Sequence, residues 1–219
     1  MSEPLTPVDI RVLGALIEKE QTTPENYPLS LNALVTACNQ TTNRDPVVKY
    51  DDGIVASSID ALRHRGLVRA TKGIDARVTK YSHRMPDVME LDARELAILC
   101  VLMLRGAQTS GELRTRTGRI ESFEDVTQVE ATLDRLVGRA LVARLPRQPG
   151  QKELRYAHLL AGDIDVEAMA AQAAAASAAT AHAPSSADRI AALEATVEEL
   201  RNELADLRAQ MAAFKAQFE

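Results

Sequence analysis

Tryptophan is missing from this chain of 219 residues, and all aromatics together make up only 3% of it. Single-stranded bases are usually held on aromatic platforms, so that mode of nucleic-acid binding is poorly supported. A basic excess is missing too. The chain has 26 Lys and Arg against 31 Asp and Glu, a formal net charge of −5. No global field draws it towards a polyanion, so any such attraction must come from a local patch. Cysteine is reduced to Cys38 and Cys100. Each sits inside an apolar helical pattern and is expected to be a buried free thiol behaving as a small hydrophobe.

Membrane and catalytic signals are equally scarce. The polar start, Met1-Ser2-Glu3-Pro4, lacks the apolar core of a signal peptide. No apolar run approaches the ~20 residues needed to cross a bilayer. A soluble, cytoplasmic protein in a reducing compartment is expected, with no membrane partner. No phosphate-cradling glycine loop or dinucleotide fingerprint is present. His64, His83, His158 and His182 are scattered, without a Cys or His partner at metal-ligand spacing. Ser57-Ser58 has no neighbouring base. The expectation is therefore no enzyme, no metal and no cofactor.

What is present is a repeat. Leu5 to His83 and Leu91 to Leu160 follow one script: an apolar helix, a shorter helix, then a third helix running into a basic strand–turn–strand. In the first copy Thr6-Pro7 starts a helix with Ile10, Leu13, Leu16 and Ile17 on one face. Residues 21–28 read as a loop. Ser30 caps a short helix carrying Leu31, Leu34 and Val35, and Asn43-Arg44-Asp45-Pro46 breaks the chain. A third helix over about 53–65 buries Val55, Ile59 and Leu62, and Gly66 ends it. Strands are expected at 67–71 and 78–83.

In the second copy Asp92 caps a helix burying Leu96, Leu99, Leu102 and Met103, which Gly106 stops. Ser110 opens a short helix with Leu113, and Gly118 ends it. A third helix over about 123–139 and strands at 141–145 and 153–159 complete the copy. Helices followed by a basic hairpin form a winged helix. The expected fold is thus mainly α with small β-hairpins: two tandem winged-helix domains, 1–86 and 87–163. An Ala-rich linker over 164–187 and a C-terminal coiled-coil helix over 188–219 follow.

Charge separates the copies. Residues 56–84 hold Arg63, Arg65, Arg69, Lys72, Arg77, Lys80 and Arg84 against Asp60 and Asp75. In a winged helix the third helix enters the major groove while the hairpin touches the backbone. Phosphate contact by Arg63, Arg65, Arg69, Lys72, Arg77 and Lys80 is therefore the leading expectation, with double-stranded DNA as partner. Such side chains also serve solubility and the helix dipole. The second hairpin has a basic tip, Arg147 and Lys152. Its third helix carries Glu124, Asp125, Glu130 and Asp134 on the solvent side, which repel a phosphate backbone. That helix is expected to face protein or water.

The stretches Pro24-Glu25-Asn26-Tyr27-Pro28-Leu29-Ser30-Leu31-Asn32-Ala33-Leu34, Cys38-Asn39-Gln40-Thr41-Thr42-Asn43-Arg44-Asp45-Pro46 and Ala61-Leu62-Arg63-His64-Arg65-Gly66-Leu67-Val68 resemble the YceH family of uncharacterised bacterial proteins. The resemblance covers roughly 3–160. It implies a tandem winged-helix fold, names no activity and carries over no site residues. The Asn43–Pro46 segment also reads as a turn that Arg44 ties to a neighbouring carboxylate.

The tail carries a heptad seam: Ile190, Leu193, Val197, Leu200, Leu204 and Leu207, continued by Met211, Phe214 and Phe218. Ile and Val at a with Leu at d favour a parallel two-stranded coil, so a homodimer is expected. A single amphipathic helix docking on its own body is the alternative. Two functional readings follow: a dimeric DNA-binding, regulator-like protein, or a winged-helix adaptor that binds a protein partner.

Overall fold

The computed structural model describes residues 3–72, 78–147 and 153–162, with 198 and 201. The chain divides into two units, Met1–Val166 and Glu167–Glu219. In the second unit the described residues are Glu198 and Arg201, whose side chains pair at 3.7 Å. The heptad residues Ile190, Leu193, Val197, Leu200, Leu204 and Leu207 lie outside the described residues. Among the described residues no helix is long and apolar enough to cross a membrane.

The first unit is mainly helical with two small antiparallel sheets. Helix α1 spans Pro7–Thr22. Thr6 starts it with a capping box: its hydroxyl accepts the Asp9 N–H at 3.2 Å, and the Asp9 carboxylate accepts the Thr6 N–H at 3.0 Å. Strand β1 is Leu29–Ser30, and Ser30 caps α2, Leu31–Cys38. Helix α3 runs Asp52–His64 and is capped by Asp51. Gly66, at φ +72°, lets the chain reverse into β2, Val68–Thr71. Strand β3 is Lys80–His83, followed by the one-turn helix α4, Met85–Met89.

The second copy repeats this order. Helix α5 is Ala93–Arg105, opened by an Asp92–Glu95 capping box. Then come β4, Gln108–Thr109; α6, Ser110–Thr117; α7, Val126–Gly138; β5, Val142–Leu145; and β6, Arg155–His158. The sheets have matching strand orders, β1-β3-β2 and β4-β6-β5. Val68 pairs with His83 in the first and Val142 with His158 in the second.

Several features differ from the sequence-based expectation. β1 and β4 are two residues long and exist through pairing with β3 and β6, so no local alternation announces them. The expected loop over 21–28 contains the last two residues of α1 and a turn of 3-10 helix, Pro24–Asn26. Helix α4 starts on Met85-Pro86, where the missing proline N–H costs nothing.

The two copies share one core. Helix α1 packs along α5, and the buried cluster runs through Leu13, Leu16, Ile17, Ile98, Leu99 and Leu102. Burying such a side chain contributes about 1.5–3 kcal/mol. Gly14 permits the close approach, since a Cβ there would stand 2.9 Å from Leu104 Cγ and Cδ2. The Cys100 thiol donates to the Gly14 carbonyl at 3.5 Å. Both thiols are buried and free; burial pushes Cys38 up to about 12 and raises Cys100 further.

The 43–46 segment ties the copies together. Asp45 N–H donates to the Leu104 carbonyl at 2.9 Å, satisfying an orphan acceptor in the last turn of α5. The Arg105 guanidinium reaches the Asn43 side chain. Arg44 is buried and holds both Glu18 oxygens, at 2.7 and 3.1 Å. The structural reading of Arg44 as a tie to a carboxylate is what the fold contains. Arg11 is buried as well, donating to the Cys38 and Pro46 carbonyls at 3.1 and 2.6 Å.

Candidate nucleic-acid interface

The β2–β3 hairpin has two faces, set by its register. Val68 and Ala70 pair with His83 and Tyr81 and point inward. Arg69 and Thr71 pair with Ser82 and Lys80 and point outward, three of the four being exposed. Arg69 and Lys80 therefore share one solvent face, at adjacent diagonal positions. Lys72 follows β2 directly and is exposed.

The inner face is bolted down. His83 N–H donates to the Tyr27 hydroxyl at 2.9 Å, and the His83 Nε2 meets the Glu20 carboxylate at 2.8 Å. His83 Nδ1 accepts the Met85 N–H at 3.3 Å. Burial raises the Tyr27 phenol, so it stays neutral in this role. Sequence reasoning missed this anchor, because Glu20, Tyr27 and His83 meet only in three dimensions.

The six candidate cations do not act alike. Arg63 pairs with Asp60 at 3.0 Å on the exposed side of α3. Arg65 donates to the Glu3 and Pro4 carbonyls and is spent on the N-terminal segment. Arg69, Lys72 and Lys80 form no ion pair among the described residues. Arg77 lies outside the described residues. Arg84, the seventh cation of the stretch, faces Asp87 at 3.6 Å. The sequence grouped these charges; among the described residues the fold leaves Arg69, Lys72 and Lys80 without an ion pair, and it sets Arg69 and Lys80 on one face.

The exposed side of α3 is not basic. It presents Asp52, Ile54, Ser57, Asp60 and Arg63. Ile54 is 42% exposed beside Val8 and Ala61, in a shallow depression that Asp51 also borders.

In the second copy the arginines of α7 and its C-cap, and of strands β5 and β6, are paired. Arg135 pairs with Asp92 and Glu95 at 2.8 and 3.3 Å, and Arg139 with Glu95 at 3.1 Å. Arg144 binds Asp134, and Arg155 reaches Glu112 at 3.0 Å. Glu124, Asp125, Glu130 and Asp134 are exposed on or beside α7, with Asp125 serving as its cap. Arg147 is exposed; Lys152 lies outside the described residues.

Residues 5–151 match the family described as a protein of unknown function, DUF480. The chain belongs to that family. It is 45% identical over 216 residues to a UPF0502 protein of Vibrio atlanticus, covering 95% of this chain and 97% of the relative. A UPF0502 protein of Solibacter usitatus is 50% identical over 204 residues, covering 93% and 96%. One from Opitutus terrae is 52% identical over 165 residues, covering 74% and 72%. The expectation of an uncharacterised bacterial family agrees with this.

Proposed function

We propose that the chain is a tandem winged-helix protein, related to the YceH proteins, whose first copy grips duplex DNA. Arg69, Lys72 and Lys80 contact the phosphate backbone, and the protein works in the cytoplasm as a dimer joined through the heptad seam, without catalysing a reaction. The observation that carries this reading is the outward pair Arg69 and Lys80, without an ion pair among the described residues in a protein of net charge −5. Matching strand orders and element orders in the two copies support the winged-helix assignment. Because α3 exposes Asp52 and Asp60, binding rests on backbone contact by the hairpin, with weak sequence preference.

The test is fluorescence anisotropy with a duplex at several salt concentrations. Binding is expected at low salt, weakening steeply as salt rises. Replacing Arg69, Lys72 and Lys80 with Ala is expected to flatten the log–log salt slope by about 2–3, near 0.9 per lost phosphate contact. No binding at low salt, or an unchanged slope in the triple variant, overturns the reading.

The adaptor reading draws on one observation, the exposed Ile54 flanked by carboxylates on α3. It predicts that a duplex fails to bind while Ile54→Asp, with the fold intact, abolishes a protein complex that the wild type forms.

A further inference from the structure

We propose that the cleft between the two copies binds a small organic phosphate. The cleft encloses about 380 Å³ within the first unit, formed by α1 and the segment after α2 on one side and by α5 and α6 on the other. That volume lies in the range of small-molecule sites and is far too small for a duplex.

Its walls hold four cations: Lys19, Arg105, Arg116 and Arg119. Lys19 comes from α1 and Arg105 from the end of α5, while Arg116 and Arg119 stand three residues apart at the end of α6 and just beyond it, so the fold and not one charge run brings the four together. The one carboxylate in the lining, Glu18, is already clamped by the two terminal guanidinium nitrogens of Arg44 from the protein side. The surplus is therefore positive in a molecule that is acidic overall.

Three of the cations are held in place. Lys19 rests on Gln40 and Glu18, both at 3.3 Å. Arg105 is fixed by Asn43, and Arg116 by Glu112 at 3.4 Å. Arg119 is exposed and makes no ion pair or hydrogen bond among the described residues. Arg105 is pushed below its ordinary range, by burial first and by the neighbouring Arg116 second. Two guanidiniums converging in a partly buried cleft repel one another, and a shared dianion relieves that repulsion. Arginine forks suit phosphate oxygens in particular.

The remaining lining argues for an organic phosphate over the bare ion. Val101, Leu104 and Ile120 supply an apolar floor, and Thr42 and Gln40 supply neutral hydrogen-bonding groups. A phosphate ester placed on the cations can rest its carbon skeleton there. The site is independent of the hairpin that is proposed to grip DNA, since the two share no residue.

The experiment uses the full chain at constant ionic strength, with pyrophosphate, glycerol 3-phosphate and AMP as probes, followed by thermal unfolding and calorimetric titration. At least one of the two esters is expected to raise the melting midpoint by roughly 5–10 °C at about 100 times its dissociation constant. Arg119→Ala is expected to weaken that ester roughly 10-fold or more, and so is Arg116→Gln. Among the described residues Arg119 has no structural partner to lose, so its variant is expected to keep the fold. Arg69→Ala/Lys80→Ala is expected to leave ester affinity unchanged. The proposal is overturned if neither ester binds, if pyrophosphate alone binds, if Arg119→Ala binds as the wild type does, or if binding is lost in the hairpin variant. Loss of DNA binding in the hairpin variant leaves this result untouched, so the two readings fail separately.

Discussion

Replacing Arg44 with Met unpins, from within the first copy, the segment whose neighbours Asn43 and Asp45 reach the second. The Arg44 side chain is fully enclosed, and its partner Glu18 is 12% exposed. Besides Glu18, the guanidinium donates to the Ala37 carbonyl at 2.9 and 3.2 Å, to the Asn43 carbonyl at 2.9 Å and to Gln40 at 3.1 Å. Methionine fills the volume but donates nothing, so a buried carboxylate and a buried carbonyl lose their partners. Breaking a buried pair from one side costs about 3–5 kcal/mol. Lys19, 3.3 Å from Glu18, remains to compensate in part, which places Arg44→Met near the lower end, at about 3 kcal/mol. For a unit of this size that is a fall in melting midpoint of roughly 6–12 °C.

The pH dependence gives the sharper test. Burial alone raises the Glu18 carboxyl, but hydrogen bonding and charge from Arg44 outweigh it and hold Glu18 below its ordinary value. In the wild type this stabilisation is present above the unfolded-state pKa and is lost as pH falls through the native one. In Arg44→Met the burial effect is opposed by Lys19 alone, the smaller of the two cationic influences. The charged form then carries a penalty at neutral pH that protonation removes, so the deficit relative to wild type shrinks on acidification. Urea denaturation at pH 7 and pH 4 measures both quantities, and Glu18→Gln in the Arg44→Met background is expected to recover part of the loss. A loss under about 1 kcal/mol at pH 7, or an equal loss at both pH values, refutes the reasoning.

Burial lowers His158 to about 4, so its neutral form is the native one. Stability relative to His158→Asn should fall as pH drops from about 6.5 towards 4, by up to ~3 kcal/mol, and a pH-independent difference in denaturant midpoints contradicts this. Gly14→Ala gains helix propensity but places a Cβ 2.9 Å from Leu104, so calorimetry should find a net loss of about 1–2 kcal/mol; a gain refutes the close approach of α1 and α5. Cys100, fully buried with its thiol raised by burial, should resist alkylation in the native state and react after unfolding; fast native labelling, followed by mass spectrometry, refutes its burial.

Much of the fold is written locally. Thr6, Ser30 and Asp92 announce helix starts because a hydroxyl or carboxylate satisfies orphan N–H groups there. Gly66 and Gly106 announce stops, both at positive φ. The apolar spacing of α1, α3, α5 and α7 gives their buried faces. What the sequence hides is what tertiary pairing creates: β1 and β4, the His83 anchor, and the identity of the carboxylate that Arg44 seeks, 26 residues away. The charge patch was half legible. Composition reveals seven cations in a row of elements, but not that Arg65 is consumed by backbone carbonyls or Arg63 by Asp60.

The two hairpins allow a direct comparison of what each copy does with its charge. Aligned on the Val68–His83 and Val142–His158 pairs, Arg69 corresponds to Ala143 and Lys80 to Arg155. The second copy has thus discarded one cation and bound the other, since Arg155 donates to Glu112 at 3.0 Å and to the Ala107 carbonyl at 2.9 Å. Stability does not explain why the first copy leaves Arg69 and Lys80 uncommitted. An exposed pair contributes about 0–1 kcal/mol, so neither its presence nor its absence weighs much. If the two cations serve a partner and not the fold, Arg69→Ala/Lys80→Ala should shift the melting midpoint by less than about 2 °C. Arg155→Ala strips a part-buried donor from a carbonyl and a carboxylate and should lower it by more, roughly 3–8 °C. A large destabilisation in the Arg69→Ala/Lys80→Ala variant shows instead that these side chains hold the hairpin itself, and removes the reason to look for a polyanion on its outer face.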